Sequence, residues 1–178
     1  EALALATTPE ETRKVLSGIG EVKDTAVLDL LRPYLDSGEC QAEAAVAAEK
    51  VLRRFYKLSA SVNNVMASEA ADNDIDSLWS TDRPQEPGQW LQIDLGVRAR
   101  IGGLMLDTSR SANNYPRGYA VYVSDDPNGA GTPVSSGVTD QPVLRIEFTP
   151  TEGRYVRIVQ TGSASVPWSV HEMKALVK

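Results

Sequence analysis

The sequence predicts an α-helical segment followed by an antiparallel β-sandwich, and three observations carry that reading. Composition changes near residue 58: residues 1–58 hold nine alanines and two of the ten prolines, while all three tryptophans lie beyond. Apolar residues recur at helical spacing before that point and alternate with polar residues after it. Turn chemistry punctuates the second part at Asp126-Pro127-Asn128-Gly129 and Thr151-Glu152-Gly153. A chain of 178 residues with 42% hydrophobic content can bury a core in one large domain or two small ones. The expected division is a helical segment over 1–58 and a sandwich over 59–178.

Thr8-Pro9-Glu10-Glu11 places a hydroxyl, a proline and a glutamate where a helix start needs them to satisfy its free amides. A helix is expected from Pro9 to Ser17, stopped by Gly18 and Gly20. Asp24 can cap a second helix, in which Val27, Leu28, Leu30, Leu31 and Leu35 form the apolar stripe and Pro33 is expected to kink or end it. After an Asp36-Ser37-Gly38 turn, Ala42, Ala45, Val46, Ala48, Val51, Leu52 and Phe55 describe a long alanine-rich helix. This arrangement resembles a HEAT-type helical repeat, of which about one and a half copies are present. Such a unit cannot bury its apolar face alone, so it is expected to pack on the β part or on neighbouring repeats. An ordinary three-helix segment is the alternative.

Half-buried strands are predicted where Leu91, Ile93 and Leu95 alternate with Gln92 and Asp94. The same period recurs at Tyr119, Val121 and Val123 and at Leu144, Ile146 and Phe148. Turns rather than crossover helices separate these runs, which favours an antiparallel sandwich over a parallel sheet.

The net charge is −6 and no basic run occurs, so nucleic-acid backbones and anionic lipid are poor partners. Membrane attachment would need protruding apolar loop tips, and the loops read as polar. The single cysteine, Cys40, excludes an intramolecular disulfide and is expected to be a small apolar helix residue. One histidine and one cysteine exclude most catalytic triads and a zinc site. Paired carboxylates exist, but they cluster in one loop and no long insertion builds a cleft, so the chain is expected to be noncatalytic.

That loop, Ala70-Ala71-Asp72-Asn73-Asp74-Ile75-Asp76-Ser77-Leu78-Trp79, gathers three carboxylates and a hydroxyl before an aromatic anchor, a set of oxygens suited to a hard cation. With Pro87-Gly88-Gln89-Trp90-Leu91-Gln92-Ile93-Asp94-Leu95-Gly96, Arg154-Tyr155-Val156-Arg157-Ile158 and Trp168-Ser169-Val170-His171-Glu172-Met173, it resembles the discoidin, or coagulation factor type C, domain, known in bacteria as the family 32 carbohydrate-binding module. The family loop reads Ala-x-Asp-Gly-Asp-x-x-Thr-x-Trp and aligns without a gap. Asn73 stands in place of its glycine and Ser77 in place of its threonine. The resemblance spans about residues 59–178 and implies a jelly-roll, galactose-binding-like fold. It also implies a structural calcium held by Asp72, Asp74, Ser77 and Glu172, the last brought in by the closing Ser-x-x-Glu segment. The competing reading of the loop is a solvated turn with aspartate caps and no ion.

Relatives bind sugars through loops at one end of the sandwich, using an aromatic face, an arginine or histidine, and an amide. The Ser109–Gly118 loop offers Arg110, Asn113, Asn114 and Tyr115, with Arg117 either a ligand residue or a fold element. Trp168 is a further candidate platform, whereas Trp79 and Trp90 are expected in the core or against the acidic loop. His171 is expected to be a hydrogen-bonded structural residue, and Asp82 and Arg83 face a ligand or each other.

These features together point to a noncatalytic carbohydrate-binding module of a larger bacterial protein acting outside the cytoplasm, with galactose or a related sugar as the implied ligand and neighbouring domains of the parent chain as partners. A protein-interaction or spacer domain without sugar binding is the alternative. Exposed aromatics on the 113–117 and 167–168 loops would favour the first, and burial of both loops against the helices the second.

Overall fold

A computed structural model describes residues 2–36, 38–111, 113–129 and 131–178; Ser37 of the expected turn lies outside these residues. Among the described residues, four α-helices come first: α1 (Ala2–Leu5), α2 (Pro9–Ile19), α3 (Leu28–Leu35) and α4 (Gln41–Arg53). The capping box forms as expected, Thr8 Oγ1 accepting from Glu11 N while the Glu11 carboxylate accepts from Thr8 N. Gly18 does not stop α2; the helix runs through it to Ile19. Gly20 is its C-cap, as expected, and also provides clearance, because a Cβ there would lie 3.1 Å from the Ala47 backbone of α4. Asp24 caps a 3-10 turn, Thr25–Val27, that leads into α3. Pro33 sits inside α3, which continues to Leu35, so the expected break is displaced by two residues.

Among the described residues, eight strands follow: β1 (Lys57–Ala60), β2 (Trp79–Ser80), β3 (Trp90–Asp107), β4 (Gly118–Ser124), β5 (Ser135–Val138), β6 (Val143–Gln160), β7 (Ser169–Val170) and β8 (Glu172–Val177). β1 begins at Lys57, ahead of the expected boundary. All pairings are antiparallel, in the order β1-β3-β6-β4-β5 with β8 also on β3, and β2 pairs with β7. The long strands β3 and β6 change register between Asp94 and Ala99 and again near Gly103. These irregularities divide β3 into a first half paired with β1 and a second half paired with β8, as strands do at the corners of a sandwich. The expected turn at Thr151–Gly153 is instead strand, with Thr151 opposite Ile101 and Gly153 opposite Ala99. Glycine stands there for close approach: a Cβ on Gly153 would meet Val123 and Ser124 of β4 at 2.7–3.0 Å. The turn at Asp126–Gly129 forms, with Gly129 at φ +67° and its N–H bonded to Asp126 O.

Leu16, Leu31, Leu52, Leu91, Ile93, Leu104 and Ile158 belong to one apolar cluster, so the helices and the sandwich share a core. α4 lies along β8 and closes its free edge. Ala175 N donates to the Tyr56 hydroxyl at 3.3 Å and Val177 N to Glu49 Oε1 at 3.1 Å. An uncovered strand edge invites pairing with other chains, and these two side chains remove that opening. Among the described residues, no helix is long and apolar enough to cross a membrane.

Candidate functional site

Three connecting segments, 81–89, 113–117 and 161–168, meet at one end of the sandwich, where buried glutamines pin them. Gln85 Nε2 donates to the carbonyls of Tyr115 and Pro167 at 3.0 and 3.1 Å, and its Oε1 accepts from Arg117 N and from Gln160 Nε2. Gln160 Oε1 in turn accepts from Gly118 N and Gly162 N. Gln89 closes the first loop on itself through Pro84 O and Glu86 N. All three amides are buried and partnered, so the loop backbones are fixed while the outward side chains stay free. Sequence reasoning missed this hub, because glutamines in polar loops give no periodic signal.

Of the candidate ligand residues, Arg110 and Asn113 are exposed and Asn114, Tyr115 and Arg117 are half-buried. Arg110, on the short 3-10 turn Ser109–Ser111, reaches Asp76 of the acidic loop at 3.4 Å. The Asn113 carbonyl accepts from Arg117 Nη2 at 2.8 Å, and the Arg117 guanidinium lies 3.8 Å from the Tyr115 ring centre. Asn114 is tied to β7 through Ser169 Oγ and the Ser169 N–H, which assigns much of its bonding to the fold. The loop therefore brings together an arginine, an amide and a ring-guanidinium stack.

Trp168 requires correction as a platform. It is fully buried and packs edge-on against Trp79, with ring centres 4.9 Å apart and planes at 88°. The Thr81–Trp168 backbone and hydroxyl bonds draw it inward between β2 and β7. Trp90 departs from expectation in the other direction. It is half-buried on the sheet surface beneath Arg157, whose guanidinium lies 4.0 Å from its ring and also bonds Gln92 and the carbonyls of Pro127 and Asn128. His171 is structural as expected, buried with Nε2 2.9 Å from Ser111 Oγ. Asp82 bonds Asn63 at 3.0 Å, and both residues hold left-handed backbone, φ +49° and +50°.

In the acidic loop, Asn73, which stands where the family has glycine, takes the left-handed conformation, φ +70°, that asparagine tolerates better than most residues. Asp72 and Asp74 cap the N–H groups two residues on, at 2.8 and 2.9 Å. Ser77 Oγ lies 2.9–3.2 Å from both Asp72 carboxylate oxygens, the Asp74 carbonyl and the Glu69 carbonyl. One hydroxyl proton cannot satisfy four acceptors. Converging oxygens of this kind suit a hard cation, so Asp72, Ser77 and the two carbonyls are the groups that would hold calcium. Asp74 enters that set through its carbonyl rather than its carboxylate. Glu172 stands apart: its Oε2 pairs with Arg53 of α4, and among the described residues no three His, Cys, Asp or Glu side chains gather into a metal-binding group.

Two carboxylates elsewhere are shifted in opposite directions. The bidentate Arg154 guanidinium, at 2.7 and 2.9 Å, holds the Asp94 carboxyl below its ordinary value. Burial between α4 and β8 raises the Glu49 carboxyl, partly offset by the bond from Val177 N.

Comparison with known proteins fits this architecture. The F5/8 type C domain model matches residues 57–173. Among solved structures, the family 32 module of Clostridium perfringens NanJ, in complex with galactose, is 22% identical with TM-score 0.59, covering 69% of this chain and 94% of that one. A second C. perfringens module, in complex with GalNAc-β-1,3-galactose, is 19% identical with TM-score 0.59, covering 70% and 97%. Chitosan-binding module 2 of a Paenibacillus chitosanase/glucanase, in complex with chitotriose, is 23% identical with TM-score 0.55, covering 68% and 94%. No curated protein matches the sequence. With the family model covering β1 to the start of β8, the chain belongs to the F5/8 type C, or discoidin, domain family, preceded by a helical segment that shares its core.

Proposed function

We propose that this chain is a noncatalytic carbohydrate-binding module of a larger bacterial protein, acting outside the cytoplasm. The observation that carries the reading is the pinned loop end, where exposed Asn113 and the half-buried Tyr115–Arg117 stack lie on a partnered base, with exposed Arg110 on the adjoining turn. A sugar ring presents a C–H face and a rim of hydroxyls, and an aromatic stack beside guanidinium and amide donors meets both. Neighbours of the same fold have been solved with galactose, GalNAc-β-1,3-galactose, chitotriose and 4,5-unsaturated mannuronic acid, which supports a sugar as the ligand. The 69–77 loop takes calcium through Asp72, Ser77 and the Glu69 and Asp74 carbonyls, closing the turn beside Arg110. Its role is structural, adding to folding free energy as the logarithm of one plus the ratio of free calcium to its dissociation constant.

The test is a glycan array with the whole chain, in calcium and in chelator, repeated with Arg110→Ala. A saturable hit that the variant loses supports the module reading and names the sugar class. A blank array from folded protein moves the function to a spacer between neighbouring domains. Trp168 is buried, but against Trp79 of β2, and among the described residues the 113–117 and 167–168 segments bond to each other through Gln85 and not to the helices, which favours the sugar reading over the spacer.

A further inference from the structure

The helices and the sandwich share a core, yet their junction is not fully closed. Between α3, α4 and the irregular middle of β3 lies a cleft of about 150 Å³. Its floor is aliphatic, built from Leu28 and Leu35 of α3, Ala48 and Leu52 of α4, Ala99 of β3 and Val177 of β8. Packed layers leave few spaces larger than a water molecule, so a recess of this size with an apolar floor is suited to an occupant. An apolar cavity of about 150 Å³ takes one benzene ring. The space therefore fits a single aromatic ring or a branched aliphatic group.

The rim is charged and uneven. Three guanidinium groups line it, Arg32 of α3 and Arg98 and Arg100 of β3, against two carboxylates, Asp36 beyond the end of α3 and Glu152 of β6. Arg100 Nη1 reaches Asp36 Oδ1 at 2.5 Å and ties the end of α3 to the sheet, while Glu152 stands opposite Arg100 in the β3–β6 register. Arg98 sits where that register is interrupted and pairs at 3.1 Å with Asp125, outside the cleft. Arg32 comes only within 3.8 Å of Asp29 on its own helix. Both of these outer pairs are exposed, and exposed pairs hold their charges weakly. Arg32 and Arg98 can therefore turn to an anion at the mouth of the cleft.

We propose that this cleft is a second binding site, for a small molecule that joins one aromatic ring or branched aliphatic body to a single carboxylate. The body lies on the aliphatic floor, and the carboxylate balances a rim that carries one more positive than negative group. No residue of the 81–89, 113–117 or 161–168 segments lines the cleft, so the inference stands apart from the sugar reading. Its walls come from both the helices and the sandwich, so a ligand there stabilises their docking by linkage.

The experiment titrates the isotope-labelled whole chain with phenylacetate and with its neutral counterpart phenylacetamide, following backbone amide shifts. Phenylacetate should give saturable shifts centred on Ala48, Ala99 and Val177 and raise the melting temperature. It should bind roughly tenfold tighter than the amide, as one charge-assisted hydrogen bond implies. In the Arg32→Gln, Arg98→Gln double variant the two compounds should bind within about twofold of each other, because the charge they distinguish is gone. Ala99→Leu, which fills the floor, should remain folded and lose both compounds. Phenylacetate that gives no saturable shift around the cleft at millimolar concentration overturns the inference. So does an amide that binds the native chain as tightly as the acid, or binding that survives in folded Ala99→Leu. Should Ala99→Leu fail to fold, the double variant decides, since its two arginines are exposed and a preference for the acid that persists in it overturns the inference.

Discussion

The helix-covered face and the loop end are both closed by polar side chains, to opposite effect. On the covered face, Glu49, Tyr56 and Arg53 turn their polar groups inward, onto the β8 edge and Glu172. At the loop end, Gln85, Gln89 and Gln160 turn inward while Arg110 and Asn113 are left pointing at water. A polar side chain whose partners lie within the chain belongs to the structure; one displayed on a pinned backbone is available to a ligand. Substitutions on the two sides should therefore separate stability from recognition.

The largest effect is expected at the base of the loop end. Gln160→Leu strands Gly118 N, Gly162 N and Gln85, and should cost about 3 kcal/mol by urea denaturation, with sugar affinity lost as the loops loosen. On the covered face, Tyr56→Phe removes the acceptor for Ala175 N and should cost about 1 kcal/mol, with sugar affinity unchanged. A Tyr56→Phe protein that loses its ligand would break the comparison.

Acid titration sharpens it further. The Asp94 carboxyl is held low by Arg154, so its stability is present above the ordinary carboxylate value and is lost as pH falls through the lowered one. Asp94→Asn should flatten the acid side of the stability profile. The Glu49 carboxyl is raised by burial, so its contribution is present below the ordinary value and is lost as pH rises through the raised one. Glu49→Gln, which keeps an oxygen for Val177 N, should be neutral or stabilising at neutral pH in thermal melts. The smallest effect on stability is expected for Arg110→Ala, within about 0.5 kcal/mol, since its pair with Asp76 is exposed. Its effect on glycan binding should be the largest of the set.

Local chemistry made part of this legible. The Thr8–Glu11 cap, the alternation at Leu91–Leu95 and the left-handed Asn73 each follow from residues a few positions apart, and each is present. The acidic loop was visible because its oxygens come from one short stretch. What escaped was set by distant partners. Gly153 looks like a turn residue until β4 is seen crowding it. Trp168 beside Pro167 looks like a surface ring until Trp79, far off in sequence, is found against it. The resemblance implied Glu172 as a ligand of the acidic loop, but nothing in the sequence marks Arg53, 119 positions earlier, as its partner. The loop end followed the same division: its outward residues were readable as polar loop chemistry, while the amides that hold them were not.

The clasp of α4 on β8 also bears on how the chain reaches its native state. Val177 closes onto Glu49 across 128 positions, and Ala175 onto Tyr56 across 119. During synthesis the helices emerge first, and their covering surface must wait for the last strand to be made. Folding dominated by such distant closures is slow relative to helical proteins of similar size. In stopped-flow refolding, the final phase should report docking of α4 and Tyr56 on β8, and it should be this phase, rather than helix formation, that Tyr56→Phe alters.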